Sequence, residues 1–161
     1  MHREDIALAA CSDIPVLIAS DRAEDREACA REIHEQSGRT DRPFVRFSGA
    51  ALSAQDREVC RRLRDQFECA RGGTLFIDDI ARLGPGGQRE LSHLLERRIA
   101  SPARGGARIL AGAGSDLDDR RTTGGFNPSL YYRLNEIRLD LAATKSAGHM
   151  SRSLTAGARS A

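Results

Sequence analysis

The sequence predicts an α/β fold whose mostly parallel sheet of five strands is covered by helices on both faces. Two observations carry this reading. Short apolar runs alternate with segments of helical periodicity, and a helical segment stands between most successive strands. Strands separated by helices require right-handed crossovers, which place neighbouring strands parallel and bury both faces of the sheet. A chain of 161 residues is one domain by length, long enough to bury a core.

The elements follow in order. Residues 1–13 read as an N-terminal extension. Ile14 to Ile18 is an apolar run after Ser12-Asp13 and reads as a buried strand. A helix is predicted from Asp21 to Gln36, with Cys29 and Ile33 one turn apart on one face. Pro43 introduces a second strand, Phe44-Val45-Arg46-Phe47. Val59, Leu63 and Phe67 recur every four residues and mark an amphipathic helix. Thr74 to Ile77, entered through Gly72-Gly73, is the third strand. Gln88 to Ile99 is helical, with Leu91, Leu94, Leu95 and Ile99 as its apolar stripe. Arg108 to Ala111 is the fourth strand, and the alternation of Ile137, Leu139 and Leu141 marks a fifth. The domain therefore spans 14–141. Residues 142–161, rich in Ala, Ser and Gly without periodicity, read as a disordered tail.

Composition excludes several classes. A net charge of +2 does not define a nucleic-acid surface. Arg57, Arg61 and Arg64 share a helix face, but Asp56, Glu58 and Asp65 are interleaved with these and with Arg62. The chain has only 5 Phe and 2 Tyr to offer for stacking. Direct DNA binding is not expected. No apolar run is long enough to cross a bilayer, and Met1 to Asp13 lacks the apolar segment of a signal peptide, so a cytoplasmic chain is expected. Cys11, Cys29, Cys60 and Cys69 lack paired C-x-x-C spacing and read as small apolar residues.

Four stretches then align, in order, with one family. PVLIASDRAEDREACAREIHEQSGR, RPFVRFSGAAL, FECARGGTLFIDDI and GGFNPSLYYRLNEIRLDL resemble segments of the sigma-54 interaction domain, the AAA+ ATPase of bacterial enhancer-binding activators. The resemblance runs from Pro15 to Leu141. It implies a three-layer AAA+/P-loop-type sandwich, with ATP and magnesium as the family ligand. The helical lid subdomain that would follow the last strand, and a helix-turn-helix domain, do not occur in this sequence.

Position by position, the resemblance carries chemistry only in part. A phosphate loop needs glycines, so that backbone N–H groups converge on phosphate, and a lysine for the terminal phosphates. Here Ser20, Ala23 and Asp25 stand at the glycine positions, Arg26 at the lysine position and Glu27 after it. Where those positions require left-handed backbone, each Cβ costs roughly 1–2 kcal/mol. Asp21 and Glu24 instead read as a capping-box-like helix start, whose carboxylates take the positive helix end that phosphate would occupy. Asp78-Asp79 matches the family's Asp-Glu pair, which places Asp78 in a magnesium shell if nucleotide binds. Gly114 falls at the polar sensor position. Asn127 replaces the first finger arginine, and Arg133 matches the second. Tyr131 to Leu134 reads as a packed helix-like segment. Leu52 reaches Phe67 without the GAFTGA-bearing insertion that touches the sigma factor.

These residues predict a chain that binds no cofactor and does not hydrolyse ATP. It is expected to act as a transcription-related interaction domain, with an intact AAA+ activator or another transcription regulator as partner. Two other readings stay open: a residual ATP binder or weak ATPase using Arg26 with Asp78 and Asp79, and a decayed fragment without selected activity.

Overall fold

The computed structural model describes residues 2–50, 56–100 and 105–141. The tail, residues 142–161, and the segment around Leu52 lie outside them. Five strands form one sheet in the order β2-β3-β4-β1-β5, and every pairing is parallel. They are β1 (Val16–Ala19), β2 (Phe44–Ser48), β3 (Thr74–Asp78), β4 (Arg108–Ala113) and β5 (Ile137–Asp140). The helices are α1 (His2–Ala10), α2 (Ala23–Glu35), α3 (Asp56–Cys69), α4 (Pro85–Ala100), α5 (Asp116–Thr122) and α6 (Pro128–Leu134).

Strand alternation divides the core in two. Val16 and Ile18 of β1, Phe76 of β3 and Leu110 of β4 face a layer that holds Cys29, Ala30 and Ile33 of α2. Leu17, Leu75, Ile77, Ile109 and Ala111 face the other layer, built from Val59, Leu63 and Phe67 of α3 and Leu91, Leu94 and Leu95 of α4. Because side chains alternate with period two along a strand, each central strand feeds both layers and reads as continuously apolar. The helical stripes at four-residue spacing are the faces that close over them.

Two helices go beyond the sequence reading. The N-terminal extension contains α1, whose Ile6, Ala9 and Ala10 are buried in the α2-side layer. Its inward stripe is mostly alanine, which carries little hydrophobic contrast. The α5 segment is five charged residues around Leu117, its only buried residue, so no stripe announces it. Of the cysteines read as small apolar residues, Cys29 is buried, whereas Cys11 and Cys69 are exposed. Burial pushes the Cys29 thiol up to about 12. Among the described residues no helix is long and apolar enough to cross a membrane.

Candidate functional site

In an open parallel sheet, ligands bind outside the carboxyl ends of the strands, where connections diverge to opposite faces. Here that crevice is bounded by the turn after β1, the end of β3 and the end of β4. It brings together six of the residues singled out from sequence: Ser20, Asp21, Arg26, Asp78, Asp79 and Gly114.

The β1–α2 connection is only three residues, Ser20, Asp21 and Arg22. Arg22 stands in extended backbone at the helix cap, and its N–H donates to the Ser20 hydroxyl at 3.2 Å. Ala23 and Asp25 already lie inside α2, so two of the three positions expected to carry loop glycines are helical. Positive φ among the described residues is confined to Asp79, Gly72, Gly105 and Gly124. The turn after β1 therefore holds no left-handed residue to build an anion-binding nest of converging N–H groups.

Arg26 fills the crevice. From the first turns of α2 its Nε donates to Asp78 Oδ1 at 2.6 Å, one Nη donates to Asp79 Oδ1 at 2.8 Å, and the other donates to the Ser20 carbonyl at 2.5 Å. The guanidinium is buried, as is Asp78, which is 0% exposed. Burial is the largest single influence on Arg26 and opposes its charge. The Asp78 hydrogen bond and the charges of Asp78, Asp79 and Asp116 outweigh it and raise its pKa. A planar fork meeting two carboxylates and a carbonyl is arginine chemistry that a lysine ammonium does not reproduce.

Neighbouring residues shape this cluster. Asp79 adopts the left-handed conformation, φ 50°, and precedes a short 3-10 turn, Ile80–Arg82. Aspartate tolerates that backbone better than most residues. Gly112 of β4 leaves the space into which the Asp78 carboxylate projects: a Cβ there would lie 2.4 Å from Asp78 Oδ1. Arg46 approaches from β2, 3.6 Å from the other Asp78 oxygen and 3.3 Å from Glu27. Glu27 also pairs with Arg31, one turn along α2.

Two sequence expectations are corrected. Asp21 and Glu24 do not form a capping box, because the α2 cap has no side-chain hydrogen bond. Asp21 reaches across to the start of α5 instead and accepts the Ser115 N–H at 2.7 Å, which holds its carboxyl below the ordinary range. A side chain at Gly114 would meet that same Asp21 carboxylate, so the sensor position is covered by the β1–α2 turn. The carboxylate-filled anion site is accordingly replaced by one closed with the Arg26 cation. Asp78, the magnesium position if nucleotide binds, is paired with Arg26 at 2.6 Å.

The finger positions lie elsewhere. Asn127 caps α6, its side chain accepting the Leu130 N–H at 3.1 Å, while its own N–H donates to Gln88. Arg133 pairs with Glu96 of α4 at 2.9 Å. Tyr131 and Leu134 are buried, so the packed helical segment read from sequence is present as α6. On α3, Arg61 and Arg62 both pair with Glu58, and Arg64 pairs with Glu90.

This strand order, with an acidic pair ending β3 opposite the β1–α2 turn, is the architecture of a P-loop-type AAA+ domain. The chain belongs to the sigma-54 interaction domain family, which it matches over residues 2–143. It is 31% identical to the transcriptional regulatory protein ZraR of Salmonella typhimurium, over 88% of this chain and 36% of that protein. With the response regulator protein PilR of Pseudomonas aeruginosa it shares 34% identity, over 85% of this chain and 35% of PilR. The chain thus spans about a third of the curated relatives it matches. Its fold superposes on NtrX from Brucella abortus in complex with ATP, with a TM-score of 0.73 and 23% identity over 86% of this chain and 35% of that one. The P-loop NTPase domain of the sigma-54 transport activator from E. coli gives a TM-score of 0.64 and 20% identity, over 82% of this chain and 99% of that domain.

Proposed function

We propose that this chain is a non-catalytic member of its family, a cytoplasmic interaction or regulatory domain of the transcription machinery that neither binds nor hydrolyses ATP. One observation carries the reading: Arg26, at the position of the phosphate-binding lysine, is buried across Asp78 and Asp79 beneath a three-residue turn. A triphosphate in this crevice needs the turn to open into a cradle and the guanidinium to leave two carboxylates. Withdrawing the guanidinium strips the buried Asp78 of its partner, which is costly. The carboxylates would then need magnesium to replace the lost charge.

Further support comes from the residues around the crevice. Gly114 offers no sensor side chain, Asn127 serves as a helix cap, and Arg133 is tied to Glu96. Transition-state stabilisation of phosphoryl transfer depends on such charges being placed and free. What remains is a folded domain with α6 and the sheet intact, suited to dock on an intact AAA+ activator or another transcription regulator and alter its assembly. The test is to mix the chain with intact sigma-54 activator ATPases and follow co-elution and ATPase rate. A complex with an altered rate is expected. Absence of a complex with all of them contradicts the reading.

A second reading rests on the retained acids. Asp78 and Asp79 still end β3, and a nucleotide that drew Arg26 onto its outer phosphates would free both for magnesium. Titration of the chain with Mg-ATP separates this residual ATP-binding regulator from the first reading.

A further inference from the structure

At the opposite end of the sheet, beside the amino ends of β1 and β4, lies a cavity of about 380 Å³. Its apolar wall is Ile14, Pro15, Leu95 and Ile99; its polar wall includes Arg39 and Arg98. Ile14, which precedes β1 rather than opening it, and Ile99, which leaves the apolar stripe of α4, are exposed at its rim, 39% and 76%. The crevice described above lies at the carboxyl ends of the strands, so this is a separate place in the fold.

Charge around the cavity is unbalanced. Among the described residues four guanidiniums, Arg39, Arg98, Arg108 and Arg133, stand near three carboxylates, Asp13, Glu96 and Glu136, an excess of one positive charge. Asp13 is paired with Arg39 at 3.1 Å and Glu96 with Arg133 at 2.9 Å. Among the described residues Arg98 donates only to the Asp13 carbonyl and has no carboxylate within ion-pair distance; burial lowers its pKa, against the charges of Asp13 and Glu136. Behind the wall, Arg108 is 1% exposed. One of its Nη groups donates to the Ala9 and Ile14 carbonyls, while Nε and the other Nη have no hydrogen-bond partner among the described residues. Burial pushes Arg108 down to about 10, Asp13 works against this, and Arg98 and Arg39 add to it. Unpaired donors on a buried cation are costly, and a neighbouring anion is the ordinary remedy.

We propose that this cavity binds a small organic monoanion with an apolar tail, its acid group at Arg98 and its tail against Leu95 and Ile99, while Arg39 stays engaged by Asp13 and the Gly72, Gly73 and Gly106 carbonyls. One negative charge matches the excess of one, and a half-apolar wall selects an acid with a hydrocarbon end over an inorganic ion. The bound acid neutralises the field at Arg108 and stabilises the folded chain by mass action.

Calorimetric titration of the full chain with octanoate tests it, with octan-1-ol and inorganic phosphate as controls. Saturable octanoate binding with a Kd below about 1 mM is expected, with both controls at least tenfold weaker. Ile99→Asp, at an exposed position, keeps the unliganded melting temperature and weakens octanoate at least tenfold. Arg98→Gln weakens it similarly. No saturable binding, equal binding by octanol or by phosphate, or unchanged affinity in both variants overturns the assignment.

Discussion

Arg26 Nε and Asp78 Oδ1 lie 2.6 Å apart across 52 positions of sequence, both buried, joining the start of α2 to the end of β3. The same guanidinium holds Asp79 and the Ser20 carbonyl, so one side chain closes the crevice at the carboxyl ends of the strands.

This pair makes Arg26 a stability determinant. Arg26→Met removes the charge but keeps most of the stem, leaving Asp78 buried beside only Arg46 at 3.6 Å. Breaking a buried pair from one side costs about 3–5 kcal/mol, a fall of at least ~6 °C in melting temperature for a chain of this size. Arg26→Lys cannot bridge both aspartates and the carbonyl, and falls between the two. Urea unfolding measures the difference; wild-type stability in Arg26→Met contradicts the buried-pair account.

Gly112 is coupled to the same carboxylate. Its missing Cβ leaves room for Asp78 Oδ1, and an added methyl also meets the Phe76 ring at 3.1 Å. Gly112→Ala costs about 1–3 kcal/mol by overpacking. In an Asp78→Ala background the oxygen is gone, so a double-mutant cycle gives a coupling of roughly 1 kcal/mol or more. Additive effects would mean that Gly112 is there for the Phe76 contact alone.

Acid sensitivity has a source in His34. The ring is buried, its Nδ1 lies 2.9 Å from the Thr74 hydroxyl, and burial pulls its pKa below the ordinary value. With a folded pKa below the unfolded value of about 6.5, the neutral ring's contribution is fully present above that pH. It is lost as pH falls from there through the folded value. Compared by urea unfolding at pH 7.5 and 5.5, the stability advantage of wild type over His34→Gln shrinks at the lower pH. An unchanged advantage would show that His34 stays neutral, or charges freely, in both states.

The sequence carried the sheet well and the crevice in part. Val16, Leu17 and Ile18 or Leu75, Phe76 and Ile77 announce buried strands because both their faces are covered. The helical stripe of Val59, Leu63 and Phe67 is equally legible. In contrast α1 shows its core mainly as alanine, and α5 has only Leu117 to bury. Within the crevice, the identity of Arg26, Asp78 and Asp79 could be read, but not their mutual contact. Linear spacing gives no hint that residues 52 apart share one hydrogen bond. Asp21 escapes the sequence for a related reason: local pattern favours a cap three residues on, whereas the fold offers the Ser115 N–H at the start of α5.

The most direct measurement is calorimetric titration of the full chain with Mg-ATP, beside the Asp78→Ala variant. A crevice closed by Arg26 gives no binding tighter than about 1 mM, roughly −4 kcal/mol, for the wild-type chain. Tighter, saturable binding that Asp78→Ala abolishes would show that the guanidinium yields to phosphate, and the account would be wrong.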